Sequence, residues 1–438
     1  MLIPWLAIFD IGTIRANFKK PIDVAKLTTK SENFALLVPI FNDIKFLHNV
    51  EFLKDYAEHV VLCTTTQETP EFLSKLTNLA NEHKFRISYS TIAPGKKNPW
   101  AIYNKTLLAH ETVLKESVAG MREKFVIFID ADTVVDGDLR LLAGAMEDHN
   151  FDLASVKVLP MHRTRIIQKL QGVEYDIAMQ ARLIYPWLTS GAGMIAKREM
   201  MEKIMKNHSL FFNGGDIEIG KLADLLGYHV GHIPMKFYTE IPATTMAWIR
   251  QRFSWMSGCF RHAIINFHHN LRHPFHFIYF SFMIYFLFPL KVYQMAQHWM
   301  ILPYILALYT LLTIVANWKV RSRWMLVFPI YALFQVLVLI WFGVFRYVVT
   351  VYKTGNFGRI KIHHAHHAKA PKRFASFKAV LNHSTIFAVI ALIIFSTSFS
   401  LQKRVFGRTF ETELIIISAK NATYNAVAQL FPIRVAKN

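Results

Sequence analysis

Cysteine is nearly missing from this chain: 438 residues hold two, Cys63 and Cys259. Two cysteines in unrelated surroundings make no disulfide framework and no CxxC metal pair, which points to a reducing compartment for the folded part. Acidic residues are scarce too. Asp and Glu total 30 against 50 Lys and Arg, a formal charge of +20. That balance suits nucleic acid, anionic lipid or an anionic substrate. No nucleic-acid-binding motif stands out, so no nucleic acid is expected as a partner. What the chain has in excess is apolar sequence. It is 53% hydrophobic with 36 Phe, at a mean hydropathy of +0.24. This is too apolar for an ordinary soluble enzyme, and a lipid bilayer is the expected partner of the basic residues. Met1 to Gly12 is apolar but shorter than the ~20 residues a spanning helix needs. It also lacks the basic start of a signal peptide, and residues 1–33 are read as an interfacial segment.

The length allows two or three domains. From Phe34 onward strands and helices alternate. Ala35 to Pro39, Val60 to Cys63 and Arg86 to Ser90 read as strands. Ile44 to Glu58 and about Glu71 to Glu82 read as helices. That rhythm predicts an α/β fold with a mostly parallel sheet and helices on both faces.

The stretch Phe125 to Asp138, FVIFIDADTVVDGD, is the anchor. Phe125 to Ile129 is apolar, β-branched and aromatic, as a buried strand is. Asp130 and Asp132 follow at its carboxyl end, where open α/β sheets bind ligands. Hard divalent cations take carboxylate oxygens, and Mg²⁺ commonly uses one or two of them plus substrate phosphates. Asp130 and Asp132 are therefore candidate ligands for Mg²⁺ or Mn²⁺ with a diphosphate. The plainer reading is a strand-end Asp that caps the next helix.

Further along, each local signal has two readings. Pro94-Gly95-Lys96-Lys97 before a helix suits a phosphate or sugar, or is a solvated basic turn. Leu139 to Asp148 (helix), Leu153 to Val158 (strand) and a long helix from Arg163 to Tyr185 follow. Ser190-Gly191-Ala192-Gly193 allows close approach of backbone or substrate, or is a plain tight turn. Asp216 opens a helix with Ile219, Leu222, Leu225 and Leu226 on one face. Local sequence favours an N-cap there, and the alternative is a general base near the metal. Trp248 to Phe267 mixes Arg250, Arg252, Arg261 and His262 with Trp248, Phe253, Trp255 and Phe260, as suits a helix in a membrane interface.

Pro274 to Leu290, Trp299 to Trp318 and Trp324 to Val351 are long and nearly uncharged, and read as transmembrane helices. Ile386 to Leu401 is a shorter fourth. The basic loop Lys319 to Arg323 and the basic stretch Lys353 to Lys378 both belong on the catalytic side by the positive-inside rule. Three simple spans do not achieve that. Either Trp324 to Tyr352 is a hairpin or partly interfacial, or an earlier segment does not cross. His363-His364-Ala365-His366-His367 sits among lysines and reads as a headgroup-facing segment rather than a metal site. The expected division is 34–245 catalytic, 246–270 an amphipathic interface helix, 271–352 membrane helices, 353–383 basic and His-rich, 384–402 a further span, and 403–438 a tail without signal.

Several of these motifs agree in order and spacing. The first strand ending in Val38-Pro39, Gly95-Lys96, Asp130-Ala131-Asp132, Glu174-Tyr175, Ser190-Gly191, Gly215-Asp216, Glu240-Ile241-Pro242 and Gln251-Arg252-Phe253-Ser254-Trp255 precede the apolar helices. From Phe34 to Phe260 the chain resembles the membrane-integrated family 2 glycosyltransferases, the group of cellulose, chitin and hyaluronan synthases and related glycolipid-forming enzymes. The resemblance implies a nucleotide-diphospho-sugar transferase (GT-A, Rossmann-like) fold. It implies an integral membrane protein with its catalytic domain on the cytoplasmic side. Asp130 and Asp132 would hold metal and donor, usually a UDP-sugar. Asp216 would match the catalytic base. Pro39, Lys96, Ser190, Gly191, Gln251, Arg252 and Trp255 would line the donor and a glycan or lipid acceptor. Two positions depart from the pattern. Ser254 stands where QxxRW has Arg, and Cys63 to Thr66 replaces the usual Asp-rich turn at the base. An inactive scaffold or transporter subunit on the same fold is the rival expectation.

Overall fold

The computed structural model describes residues 11–91, 106–210, 213–273, 276, 300 and 302–354. The chain divides into two compact units, Met1–Ala379 and Val380–Asn438. Every described residue lies in the first. Lys96 and its turn, most of the expected span from Pro274, the histidine-rich segment and the span from Ile386 lie outside the described residues.

Eight strands form one sheet: β1 Phe34–Pro39, β2 Val60–Thr65, β3 Arg86–Ser90, β4 Phe125–Phe128, β5 Val134–Asp136, β6 Leu153–Pro160, β7 Met194–Lys197 and β8 Val230–Thr239. Their order is β3-β2-β1-β4-β7-β6-β8-β5. β1, β2 and β4 are buried at every position, as expected for strands covered on both faces. Alternate residues serve opposite layers. Phe34, Leu36, Val38, Val60 and Leu62 join one core, whereas Ala35, Leu37, Val61 and Cys63 join the other.

The sheet is parallel from β3 to β4, and β6 is parallel to β8. The expectation of a mostly parallel sheet stops there. β7 runs antiparallel to both β4 and β6, and β5 runs antiparallel to β8. β7 follows a tight turn in which Gly193 N donates to Ser190 O at 3.1 Å, so it enters the sheet reversed. The fold is mixed α/β.

The helix expected over 44–58 is broken. A 3-10 turn spans Ile44–Phe46, and the α-helix covers only Val50–Lys54. Between them the buried Asn49 carboxamide donates to Asp130 O at 3.2 Å and Thr133 O at 2.7 Å. His48 N donates to Ala131 O at 2.9 Å. A continuous helix would withdraw these donors from the acidic turn, and the tertiary bonds override the apolar periodicity. The other expected helices stand at Pro70–His83, Leu139–Asp148 and Ile166–Ala181.

Past the sheet, the helix Thr245–Ile265 packs against a rod made of Phe328–Phe334, a π-helical turn Gln335–Leu339 and Ile340–Thr354. The rod is continuous, so Trp324 to Tyr352 is not a hairpin. Gly343 makes the contact possible. A Cβ there would stand 2.7 Å from Met256 Cβ and Ser257 N. Phe253–Phe342 and Phe260–Tyr347 ring contacts at 5.1 and 5.8 Å line the seam. Among the described residues, Phe328–Thr350 is the one helix long and apolar enough to cross a membrane, with 39% of its most apolar window buried in the protein.

The helix Gly215–Leu225 sits against the backbone of Trp187. A Cβ on Gly220 would fall 1.9 Å from Trp187 O, a clash no rotamer relieves. Gly220→Ala should lower stability by about 1–3 kcal/mol, read as a drop in thermal midpoint in detergent. An unchanged midpoint would show that this contact is slack.

Candidate active site

The acidic turn begins where β4 ends. Ile129 N still donates to Leu37 O at 3.2 Å, and Thr133 N closes the turn on Asp130 O at 3.0 Å. Asp132 Oδ1 accepts from Thr239 Oγ1, the last residue of β8, at 2.9 Å. Helix capping does occur in this stretch, but by Asp138, whose carboxylate accepts from Arg140 N at 3.0 Å. Asp136 pairs with Lys236 at 2.9 Å on the surface. Asp130 and Asp132 do neither.

Asp216 is not the N-cap that local sequence favoured. Gly214 holds the cap position at φ +86°, a left-handed conformation that glycine adopts freely. Asp216 falls in the first helical turn, and its carboxylate reaches across the cleft. Oδ2 accepts from Gly191 N at 3.0 Å, while Thr189 Oγ1 donates to Asp216 O at 2.5 Å. Gly191 also faces the acidic turn, since a Cβ on it would lie 4.0 Å from Asp130 Oδ1. One backbone glycine thus stands between two aspartates far apart in sequence. Pro39, Glu111, Phe128, Ile129, Gly191, Met194 and Asp216 line a common cleft with a volume of about 20 Å³.

The electrostatics are one-sided. Burial, with Asp132 and Asp216 as like-charged neighbours, pushes Asp130 up to about 7. Burial raises Asp132 as well, with Glu240 adding to it against the Thr239 hydrogen bond. Burial raises Asp216 even though the Ile217 and Gly191 N–H groups favour its charge. Glu111 is driven to about 7 by burial and by Asp216. Among the described residues no lysine or arginine forms an ion pair with Asp130, Asp132 or Asp216. Buried Arg182 favours the charged form of Asp216 from a distance, but spends its Nη1 on Val156 O and Met179 Sδ. Carboxylates gathered without a basic partner are the donor set a hard divalent cation takes, and the side chains present fit one.

Residues 125–316 match the family model of glycosyl transferase family group 2. That stretch, somewhat under half of the chain, is what resembles the family. That class moves a sugar from a nucleotide-sugar donor. Among solved structures, the chain is similar to a mannosyltransferase from Pyrobaculum calidifontis solved with GDP-Man and Mn²⁺, at 13% identity and TM-score 0.46, over 80% of this chain and 98% of that one. It is also similar to S. aureus TarS 1–349, at 16% identity and TM-score 0.36, over 74% and 92%. A third is glucosyl-3-phosphoglycerate synthase from Mycobacterium tuberculosis, at 13% identity and TM-score 0.32, over 54% and 82%. No curated protein matches the chain in sequence.

The QRFSW stretch is tied into the protein through its arginine. Arg252 is fully buried. Its guanidinium donates to Glu174 at 2.5 Å, to Gln251 Oε1 at 3.1 Å and to Tyr331 OH at 3.4 Å. It lies 4.1 Å from the centre of the Trp255 ring. Arg261 is likewise buried, paired with Glu218 and donating to Asn213 O at 3.0 Å. Two of the cations expected to face lipid headgroups therefore bind the helix to the catalytic domain instead. A charged side chain leaves water more cheaply with a carboxylate waiting than alone. Trp255 stays 41% exposed, with Tyr175 6.4 Å from its ring.

Four residues of this neighbourhood escaped the sequence reading: Glu111, Asn49, Thr239 and Tyr331. No local pattern marks them, because each arrives from an element that only the sheet order or helix packing brings close. Glu111 gives a pH test. Its folded pKa is raised, so the stability it contributes is full below the unfolded value and is lost as pH climbs through about 7. Without divalent cations, the wild-type thermal midpoint should fall more between about pH 6 and pH 8 than that of Glu111→Gln. Equal slopes would remove Glu111 from the acidic cluster.

Proposed function

We propose that this protein is a membrane-bound inverting glycosyltransferase that moves a sugar from a nucleotide-diphosphate donor, UDP-linked by resemblance, to a polysaccharide or lipid-linked acceptor. The observation that carries the reading is that Asp130 and Asp216, far apart in sequence, both come up to the backbone of Gly191.

In this reading Asp216 removes the proton from the acceptor hydroxyl as that oxygen attacks the anomeric carbon. Gly191 N fixes its carboxylate, and burial keeps its proton affinity above that of a surface aspartate. Asp130 and Asp132 hold Mg²⁺ or Mn²⁺, which when bound supplies positive charge at the departing diphosphate. Thr239 and Asn49 position that pair, one on the Asp132 carboxylate and the other on the backbone of the turn. Pro39, Ser190, Gly191, Gln251 and Trp255, with Lys96 beyond the described residues, shape the donor and acceptor subsites. Arg252 acts through Glu174 and Trp255 rather than on the donor.

The membrane reading rests on Phe328–Thr350 and on apolar side chains left bare around it, among them Tyr304, Leu311, Val315, Ile330 and Phe345, each more than half exposed. Lipid covers such a surface at less cost than water does. In this reading the catalytic domain faces the cytoplasm. With Ser254 in the QxxRW frame and Arg252 committed to Glu174, single-sugar transfer to a lipid is favoured over long-chain synthesis.

Purified full-length protein should turn over a nucleotide sugar only with Mg²⁺ or Mn²⁺, and Asp132→Asn or Asp216→Asn should each lower the rate at least ~100-fold. Activity surviving both substitutions would refute the assignment, and absence of metal-dependent donor binding in the wild type would favour an inactive scaffold. Thr239→Val should raise the Mn²⁺ concentration for half-maximal rate by roughly 10–100-fold, as loss of a partner behind a metal ligand does. An unchanged metal requirement would show that Asp132 orients itself without Thr239.

A further inference from the structure

Roughly 12 Å beyond Asp216 along the same helix, at ~1.5 Å per residue, Asp224 meets two histidines that the donor cleft does not use. His273 Nε2 lies 2.8 Å from Asp224 Oδ2, and His269 Nε2 lies 3.1 Å from the same oxygen. The three potential ligand atoms all fall within 4.8 Å of one another. His269 and His273 are four residues apart on the turn Phe267–Arg272 and its cap, a spacing that puts both on one face.

His269 is the second, independent observation. Its side chain is 0% exposed, yet neither ring nitrogen has an aligned hydrogen-bond partner. A buried imidazole whose Nδ1 has no partner and whose Nε2 meets only the Asp224 carboxylate, out of hydrogen-bond alignment, is costly when its only role is packing. Its Nε2 points at the space shared with Asp224 and His273, where a cation would use the lone pair. The two spacings to Asp224 are close to those between neighbouring ligands of a tetrahedral ion with ~2.0–2.1 Å bonds. Two imidazoles and one carboxylate make a borderline N/O set, which favours zinc over Mg²⁺. The surroundings are tightly built. Trp187 packs 4.4 Å from the His269 ring and 5.1 Å from that of His273. Arg272 donates to Asp224 O and Leu225 O at 3.0 Å each. The neighbouring Lys221, which opposes a cation when charged, is moved by burial down to about 8.

We propose that Asp224, His269 and His273 form a zinc site distinct from the donor cleft. The ion clips the far end of the helix that carries Asp216 to the segment that leads into the apolar stretch 274–290, with water in the fourth position. The site thereby ties the catalytic helix to the start of the membrane-directed part of the chain.

The test uses untagged full-length protein in detergent, with zinc chloride alone as probe. His363, His364, His366 and His367 are replaced by glutamine, so that the histidine-rich segment contributes no metal. After zinc loading and desalting, elemental analysis should find about one zinc per chain. Asp132→Asn should keep that zinc, and the pair His269→Ala, His273→Ala should lose at least nine-tenths of it. A chelator should lower the thermal midpoint of the parent protein and leave that of the pair variant unmoved. Less than a tenth of a zinc per chain in the parent, or equal zinc in the pair variant, would overturn the proposal. Should the pair variant not fold, the parent's zinc content and its chelator-dependent melting decide alone.

Discussion

Like-charge repulsion organises this protein. Asp130, Asp132, Asp216 and Glu111 are brought into one partly buried neighbourhood, and no described basic residue pairs with the three aspartates. A fold does not gather carboxylates this way for stability. Each is pushed toward its neutral form, and the cluster becomes comfortable only when protons or a cation share it. The rest of the domain can be understood as the scaffold that imposes this crowding. β4 delivers Asp130 and Asp132, β8 supplies Thr239, and the turn before β7 supplies Gly191.

The opposing strategy operates a short distance away. Arg252 and Arg261 are as deeply buried as any apolar side chain, and each has a carboxylate, Glu174 or Glu218, in contact. These pairs join the helix Thr245–Ile265 to the catalytic domain, and Gly343 lets the apolar rod lie close against that helix. Unpaired charge thus marks the cleft and paired charge marks the joints. A substitution at a joint should act on folding, and one in the cleft on metal and donor.

What could be read from the chain alone follows the range of the physics. The strands β1, β2 and β4 were legible because continuous apolar runs need cover on both faces, and the acid-rich end of β4 was legible because its chemistry is local. The N-cap reading of Asp216 failed because the deciding bond comes from a backbone N–H at Gly191, and a backbone donor leaves no mark in sequence. The long helix over 44–58 failed for a related reason, since Asn49 and His48 bond the acidic turn rather than their own helix. The reversed direction of β7 and the inward turn of Arg252 depend on which surfaces meet. Period and composition report how amphipathic a segment is, but not what will lie against it.

The most direct measurement is a calorimetric titration of uridine diphosphate into the full-length protein with and without Mn²⁺. We expect Mn²⁺ to tighten nucleotide binding at least ~10-fold, about 1.4 kcal/mol, and we expect Asp130→Asn to abolish that gain while leaving the fold intact. An Asp130→Asn protein that binds Mn²⁺ and nucleotide as tightly as the wild type would contradict the claim that the crowded carboxylates exist to hold a cation.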